Sequence, residues 1–259
     1  MLSVLLRLIW IGCCAVCMLM QTLVLLDKPL SGQGWLFGFL FGSTVCGYQF
    51  FRREPWQRAL AYAAGVGALI SLWHLPQQTV LLLAAPGVVW VLYYFAGEKS
   101  LRRARVLKPV SIAFVWAWVT VWLPLDLVEW PEATLIFAGR ALFIFALALA
   151  YDLTDLHYDQ RYQLQTLVRH LGEQKTFQWI DRSLIVAGLV CIFNYFYRIY
   201  GGWAMSALIG SLGCTAWALR VIQTRLKQAY WQKFWIDALM VVQFLWVLAG
   251  KWLMGEFVL

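Results

Sequence analysis

The sequence predicts an all-α polytopic membrane protein, a bundle of nine transmembrane helices, and three observations carry that reading. Hydrophobic residues make up 62% of the chain and charged residues only 13%, about half the charged share of a soluble domain. A fold of this size could not hide so much apolar surface from water, so its solvent is lipid. The apolar residues also gather in long runs, each near the roughly 20 residues a helix needs to cross a hydrocarbon core of about 30 Å. Finally, the basic residues are sorted between alternate connections, as they are in membrane proteins of fixed orientation.

Nine runs qualify, at 2–26, 35–51, 57–75, 78–96, 109–126, 132–151, 179–199, 202–222 and 231–253. The first is long enough to span and shows no separable cleavage pattern, so it reads as a retained helix. The second, fourth and fifth are rich in Trp and Phe, which suits both lipid contact and an isoprenoid channel. The sixth carries a lone Arg140 in its body and ends on aspartates. None of the nine shows the roughly 10-residue alternation of a membrane barrel. Connections are short except at 97–108 and 152–178, both polar. Residues 1–259 are read as a single membrane domain.

The net charge of +8 is mostly topology. Of 21 basic residues, 16 lie around the connections after the second, fourth, sixth and eighth runs: Arg52, Arg53 and Arg58; Lys99, Arg102, Arg103, Arg105 and Lys108; Arg161, Arg169, Lys175 and Arg182; Arg220, Arg225, Lys227 and Lys233. The odd connections hold Lys28 and Arg198, and the one after the fifth run is acidic, with Asp126, Glu129 and Glu132. The positive-inside rule then places the N-terminus in the cytoplasm and the C-terminus outside. Attraction to anionic membrane lipid accounts for more of the basic excess, and no nucleic-acid partner is expected. Six cysteines all lie in apolar runs; Cys14 and Cys17 form a CxxC with no second ligand pair, and read as small buried hydrophobes.

Chemistry concentrates in "LALAYDLTDLHYDQRYQLQTLVRHLGEQKT". Asp152, Asp155 and Asp159 stand at i, i+3 and i+7, which fall on one face of a helix over two turns. Carboxylates that close repel unless a cation sits among them. Hard oxygen ligands at this spacing suit Mg²⁺, which keeps several waters and bridges a few carboxylates to substrate phosphates. The cluster closes an apolar run at the interface, where a charged headgroup and a lipid tail meet, flanked by Tyr151 and Tyr158. The plainer reading is a solvated acidic loop.

The run "DLTDLHYD…LQTLVRHLGEQKT" resembles the second aspartate-rich motif of the UbiA prenyltransferase superfamily. The matching positions are Asp152, Asp155, Asp159, Thr166, Leu167, Leu171, Gly172, Glu173, Lys175 and Thr176. "RVLKPVSIAFVWAWVTVWLP" resembles that family's basic loop and following helix, with Lys108 at the usual basic position. "YWQKFWIDALMVVQFLW" resembles a family pattern containing an aspartate, here Asp237. The resemblance implies a nine-helix bundle of UbiA type and an isoprenoid diphosphate held through Mg²⁺. It implies transfer of the prenyl group to an acceptor small molecule. Asp152, Asp155 and Asp159 would be metal ligands, with Asp152, Asp155 and Lys108 catalytic and Lys108, Arg161 and Lys175 contacting substrate.

The first aspartate motif departs from the pattern. Its place is taken by "STVCGYQFFRREPW", which has no aspartate; Gln49 stands where the family has Asn, and Arg52 and Arg53 fill the carboxylate region. Two readings stay open. Guanidinium groups bind diphosphate bidentately in place of one metal, or Arg52 and Arg53 only mark the end of the second helix. Gln165 also replaces a basic residue. "YQFFR" resembles divergent bacterial members of the superfamily, which implies a bacterial inner membrane.

Arg140 lies twelve residues before Asp152, about 18 Å along a helix, too far to touch the same diphosphate. An acid such as Asp126 or Glu129, or carbonyls near the end of the fifth helix, are its expected partners. His157 reads as a phosphate contact or as a solvated side chain. Two rival functions share the composition: a catalytically degenerate lipid- or isoprenoid-binding protein, and a small transporter. The transporter is disfavoured because transport sites lie near the midplane, in broken helices.

Overall fold

A computed structural model describes residues 2–49, 54–95, 100–101, 104–125, 129–156, 166–226 and 228–254. These residues are helical without a strand and form nine segments. They comprise α1 (Leu2–Leu25), α2 (Gly34–Gln49), α3 (Pro55–Trp73), α4 (Gln77–Leu82), α5 (Ala84–Tyr94), α6 (Leu107–Ala117), a π-turn (Trp118–Trp122), α7 (Trp130–Thr154), α8 (Leu167–Phe196), α9 (Gly202–Arg225) and α10 (Ala229–Leu253). α4 with α5 makes the fourth segment, and α6 with its π-turn the fifth. Six segments are long and apolar enough to cross a membrane.

Successive segments pack side by side, except that the third makes little contact with the fourth, and the last returns to the first. α7 sits inside: Ala146, Leu147, Ala148, Leu149 and Ala150 are all buried, so it is apolar on every side, as a surrounded helix must be. Its alanines let neighbouring backbones approach, which is how helices associate in lipid. α2 and α3 use glycine in the same way. Gly38 lies against Ser71, and a Cβ on Gly42 would meet the Ala64 carbonyl at 2.7 Å.

Ion pairs at the two ends fix helix direction. Lys28 pairs with Glu129, and Lys251 with Asp27 at 2.6 Å, at one end. At the other end Lys108 pairs with Asp152 and Lys233 with Asp155. α1 and α10 therefore run parallel, and α7 runs against both. That is what nine alternating crossings require.

Three irregularities have local causes. Pro86 has no N–H to give the Leu82 carbonyl; the Trp118 indole donates to that carbonyl instead, at 3.0 Å, beside the break between α4 and α5. In the π-turn the Leu123 N–H reaches the Trp118 carbonyl. α8 begins twelve residues before the predicted seventh helix. Thr166 caps it by accepting from the Arg169 N–H at 3.4 Å, and Gly172, at φ 75°, breaks it. A positive φ of that size is where glycine is the permissive residue. The polar stretch expected as a loop is thus partly helix.

Candidate functional site

The charged end of the bundle is built around the last turn of α7. Asp152 lies in that turn and Asp155 at the C-cap, its N–H donating to the Asp152 carbonyl at 3.1 Å. A helix C-terminus carries partial negative charge, so carboxylates are disfavoured there. The last turn itself has no basic residue. Cations come from other helices instead.

Lys108 Nζ, from the first turn of α6, donates to Asp152 Oδ1 at 2.5 Å. Lys233 Nζ, from α10, donates to Asp155 Oδ1 at the same distance. Asp152 is 4% exposed, so the Lys108 pair is taken out of water on its acidic side. Lys233 also lies 4.8 Å above the Tyr151 ring. The Tyr151 hydroxyl accepts a hydrogen bond from Arg7 of α1, whose guanidinium faces both the Tyr151 and Tyr230 rings. One turn beyond Lys233, Asp237 is buried within electrostatic reach of Arg7, Lys233 and the Tyr48 hydroxyl. Cys14 donates to the Asp237 backbone carbonyl at 3.4 Å.

Asp152, Asp155 and Lys108, predicted as a unit, are brought together. Gln49 ends α2 buried, and its Oε1 has no hydrogen-bond partner among the described residues. Its neighbour Tyr48 lies within electrostatic range of Tyr151 and Asp237, so the end of α2 faces this cluster. Lys175 is exposed on α8 and no described contact joins it to the aspartates. Arg52, Arg53, Asp159, Arg161 and His157 lie outside the described residues. Sequence reasoning did not single out Lys233, Arg7 or Tyr151 as site residues. The available signal was Lys233 and Asp237 at i, i+4, which share a helix face.

Among the described residues, no group of three or more His, Cys, Asp or Glu side chains is placed to hold a metal ion. All six cysteines are free thiols.

Arg140 departs from expectation. It is buried, and its donors go to the Met18 carbonyl at 2.7 Å and to the hydroxyls of Thr120 and Thr22 at 3.3 and 3.4 Å. No described carboxylate is among its partners, because Glu129 is turned to Lys28. Asp126 lies outside the described residues.

A model of the UbiA prenyltransferase family matches residues 54–248, most of the chain. The chain belongs to the UbiA prenyltransferase family. The match begins at Glu54, within the stretch that stands in place of the first aspartate motif, and it includes Lys108, Asp152, Asp155 and Lys233. A solved structure of a membrane digeranylgeranylglyceryl phosphate synthase is similar in fold. It has a TM-score of 0.60 over 96% of this chain and 99% of that one, at 11% identity. No curated protein matches the chain by sequence. Helix content, spans and family together make this UbiA protein an integral membrane protein.

Proposed function

We propose that this UbiA member is a membrane prenyltransferase that binds an isoprenoid diphosphate through Mg²⁺ and passes the prenyl group to an acceptor small molecule. The observation that carries this reading is the meeting of Asp152 and Asp155 with Lys108 and Lys233, drawn from three helices to one bundle end. Two carboxylates at the negative end of a helix break a local rule, and such violations mark functional sites.

The donor set fits Mg²⁺, which takes one or two protein carboxylates and completes its shell with water and phosphate oxygens. Asp152 and Asp155 would hold it, with Asp159 as the expected third ligand. Bound there, Mg²⁺ would neutralise charge on the departing pyrophosphate. Lys108 and Lys233 exchange their carboxylate partners for diphosphate oxygens, donating charge-assisted hydrogen bonds. Gln49, Arg52 and Arg53 serve in place of the missing first motif, and Arg161 and Lys175 are the further basic contacts to substrate. The allylic C–O bond breaks with its electron pair leaving on pyrophosphate, and the acceptor takes the prenyl carbon and gives up a proton. The N-terminus and the aspartate end face the cytoplasm.

A second reading is favoured by one observation: both aspartates already carry an ammonium partner and the first motif has no aspartate, as suits a protein that binds isoprenoids without turnover. Release of pyrophosphate from geranylgeranyl diphosphate, followed with the purified protein in lipid nanodiscs, separates the two. Turnover that needs Mg²⁺ and is lost in Asp155→Asn supports the transferase. Binding without release supports the second reading.

A further inference from the structure

The middle of α7 holds a polar site that the aspartate chemistry does not use. A cavity of about 30 Å³ lies among α7, α8, α9 and α10. Its walls are mostly apolar, with Ile136, Phe143 and Leu212 among them, but Arg140, Asn194 and Gln243 also line it.

Each of these polar residues is nine-tenths buried or more, and Arg140 and Asn194 have capacity that the protein does not fill. Arg140 spends Nη1 and Nη2 on Met18, Thr120 and Thr22, which leaves Nε–H without a partner among the described residues. Asn194 is 1% exposed. Its Nδ2 donates to the Val190 carbonyl at 2.9 Å, which fixes the amide's orientation and leaves Oδ1 with no partner among the described residues. Gln243 is 3% exposed, and its amide stands in the wall of the same cavity. Tyr200 does not fill the gap, because its hydroxyl donates to the Cys191 carbonyl at 3.3 Å.

A buried polar group left without a partner is costly, and the usual remedy is an ordered water making two to four hydrogen bonds. Such a molecule needs roughly 10–15 Å³ of cavity volume, so the space holds about two. The lining selects the ligand by chemistry. Arg140 Nε–H needs an acceptor and Asn194 Oδ1 needs a donor, while the Gln243 amide can be either. Water satisfies both demands at once. A halide would answer only the first and would meet Asn194 Oδ1 with like charge.

We propose that Arg140, Asn194 and Gln243 form a hydrated site within the bundle, binding about two ordered waters that complete the hydrogen bonding of a guanidinium with no described carboxylate partner. The waters keep the Arg140 cation solvated where it clasps the Met18 carbonyl of α1 and Thr120 of the π-turn. The site lies about 18 Å along α7 from Asp152, so it stands apart from the diphosphate reading and does not depend on it.

Two measurements test it. An experimental structure at a resolution that shows waters, from crystals grown with bromide, should have discrete density within hydrogen-bond distance of Arg140 Nε and Gln243, with no anomalous bromide signal. A bromide peak there would make the ligand an anion and overturn the proposal. Density continuous with the bilayer would do the same in favour of a lipid group. In thermal unfolding of the purified protein, Gln243→Leu and Asn194→Leu should each lower Tm by about 2–4 °C, the loss of roughly one hydrogen bond in a chain this size. A dry cavity predicts the reverse, since the leucines would then fill apolar space. An unchanged or raised Tm in both variants overturns the site.

Discussion

Lys108 and Asp152 show what a single pair does at the charged end. The carboxylate is buried and the ammonium largely so, with side-chain exposures of 5% and 19%. Removing one partner of such a pair leaves an uncompensated charge, at a cost of about 3–5 kcal/mol, whereas removing both is far milder. Lys108→Met should therefore cost about 3 kcal/mol or more, and adding Asp152→Asn should restore much of it. Thermal unfolding of both variants measures the difference; equal losses would mean the pair is not coupled. Lys108 was legible from its place at the head of a helix in a family pattern. The contacts of Lys233 and Arg7 were not, because they span 78 and 144 residues; the i, i+4 spacing of Lys233 and Asp237 marks a shared face but not the Asp155 partner. Arg140 was misjudged for a different reason. Glu129 is eleven residues before it, about 16 Å along a helix, so the two could not have met.

At the scale of elements, helix existence was legible and helix detail was not. Apolar runs marked all nine segments. The early start of α8 was hidden because "LVRHLGEQKT" is polar, and the cap at Thr166 matters more there than hydropathy. The α4–α5 break and the π-turn depend on a bond between segments, Trp118 to Leu82, that no window of sequence contains. Close packing of α2 on α3 gives a direct test. A Cβ at Gly42 would meet the Ala64 carbonyl at 2.7 Å and Ala68 N at 3.1 Å, while one at Gly67 meets nothing within 4 Å. Both contacts at Gly42 are backbone and cannot rotate away. Gly42→Ala should destabilise by about 1–3 kcal/mol through overpacking, and Gly67→Ala should be neutral or slightly stabilising. Matching unfolding temperatures for the two variants would contradict this packing.

Taken whole, the molecule is a membrane bundle whose two ends are distinguished by chemistry. One gathers Arg7, Lys108, Lys233, Asp152, Asp155 and Asp237; the other holds Lys28, Glu129, Asp27 and Lys251. With α1 and α10 parallel, the topology we propose has the two chain termini on opposite sides of the membrane. Tags at the N- and C-termini, probed in intact cells and after permeabilisation, should become accessible on different sides. Accessibility on the same side would require an even number of crossings. The sequence carries the expectation of this parity in its nine apolar runs and in the sorting of basic residues between them. The pairing of Lys233 with Asp155 is not legible there, because it arises only when distant helices close the bundle.

The measurement that bears most directly on the account is calorimetric binding of a non-hydrolysable geranylgeranyl thiolodiphosphate to the purified protein, with Mg²⁺ and with chelator. The native chain would be compared with Asp152→Asn plus Asp155→Asn, after both are shown to be folded. The account predicts binding that requires Mg²⁺ and falls at least tenfold in the double variant. Binding of equal strength with chelator, or in the variant, would contradict it and leave a prenyltransferase fold put to a use in which its aspartates serve only as partners for Lys108 and Lys233.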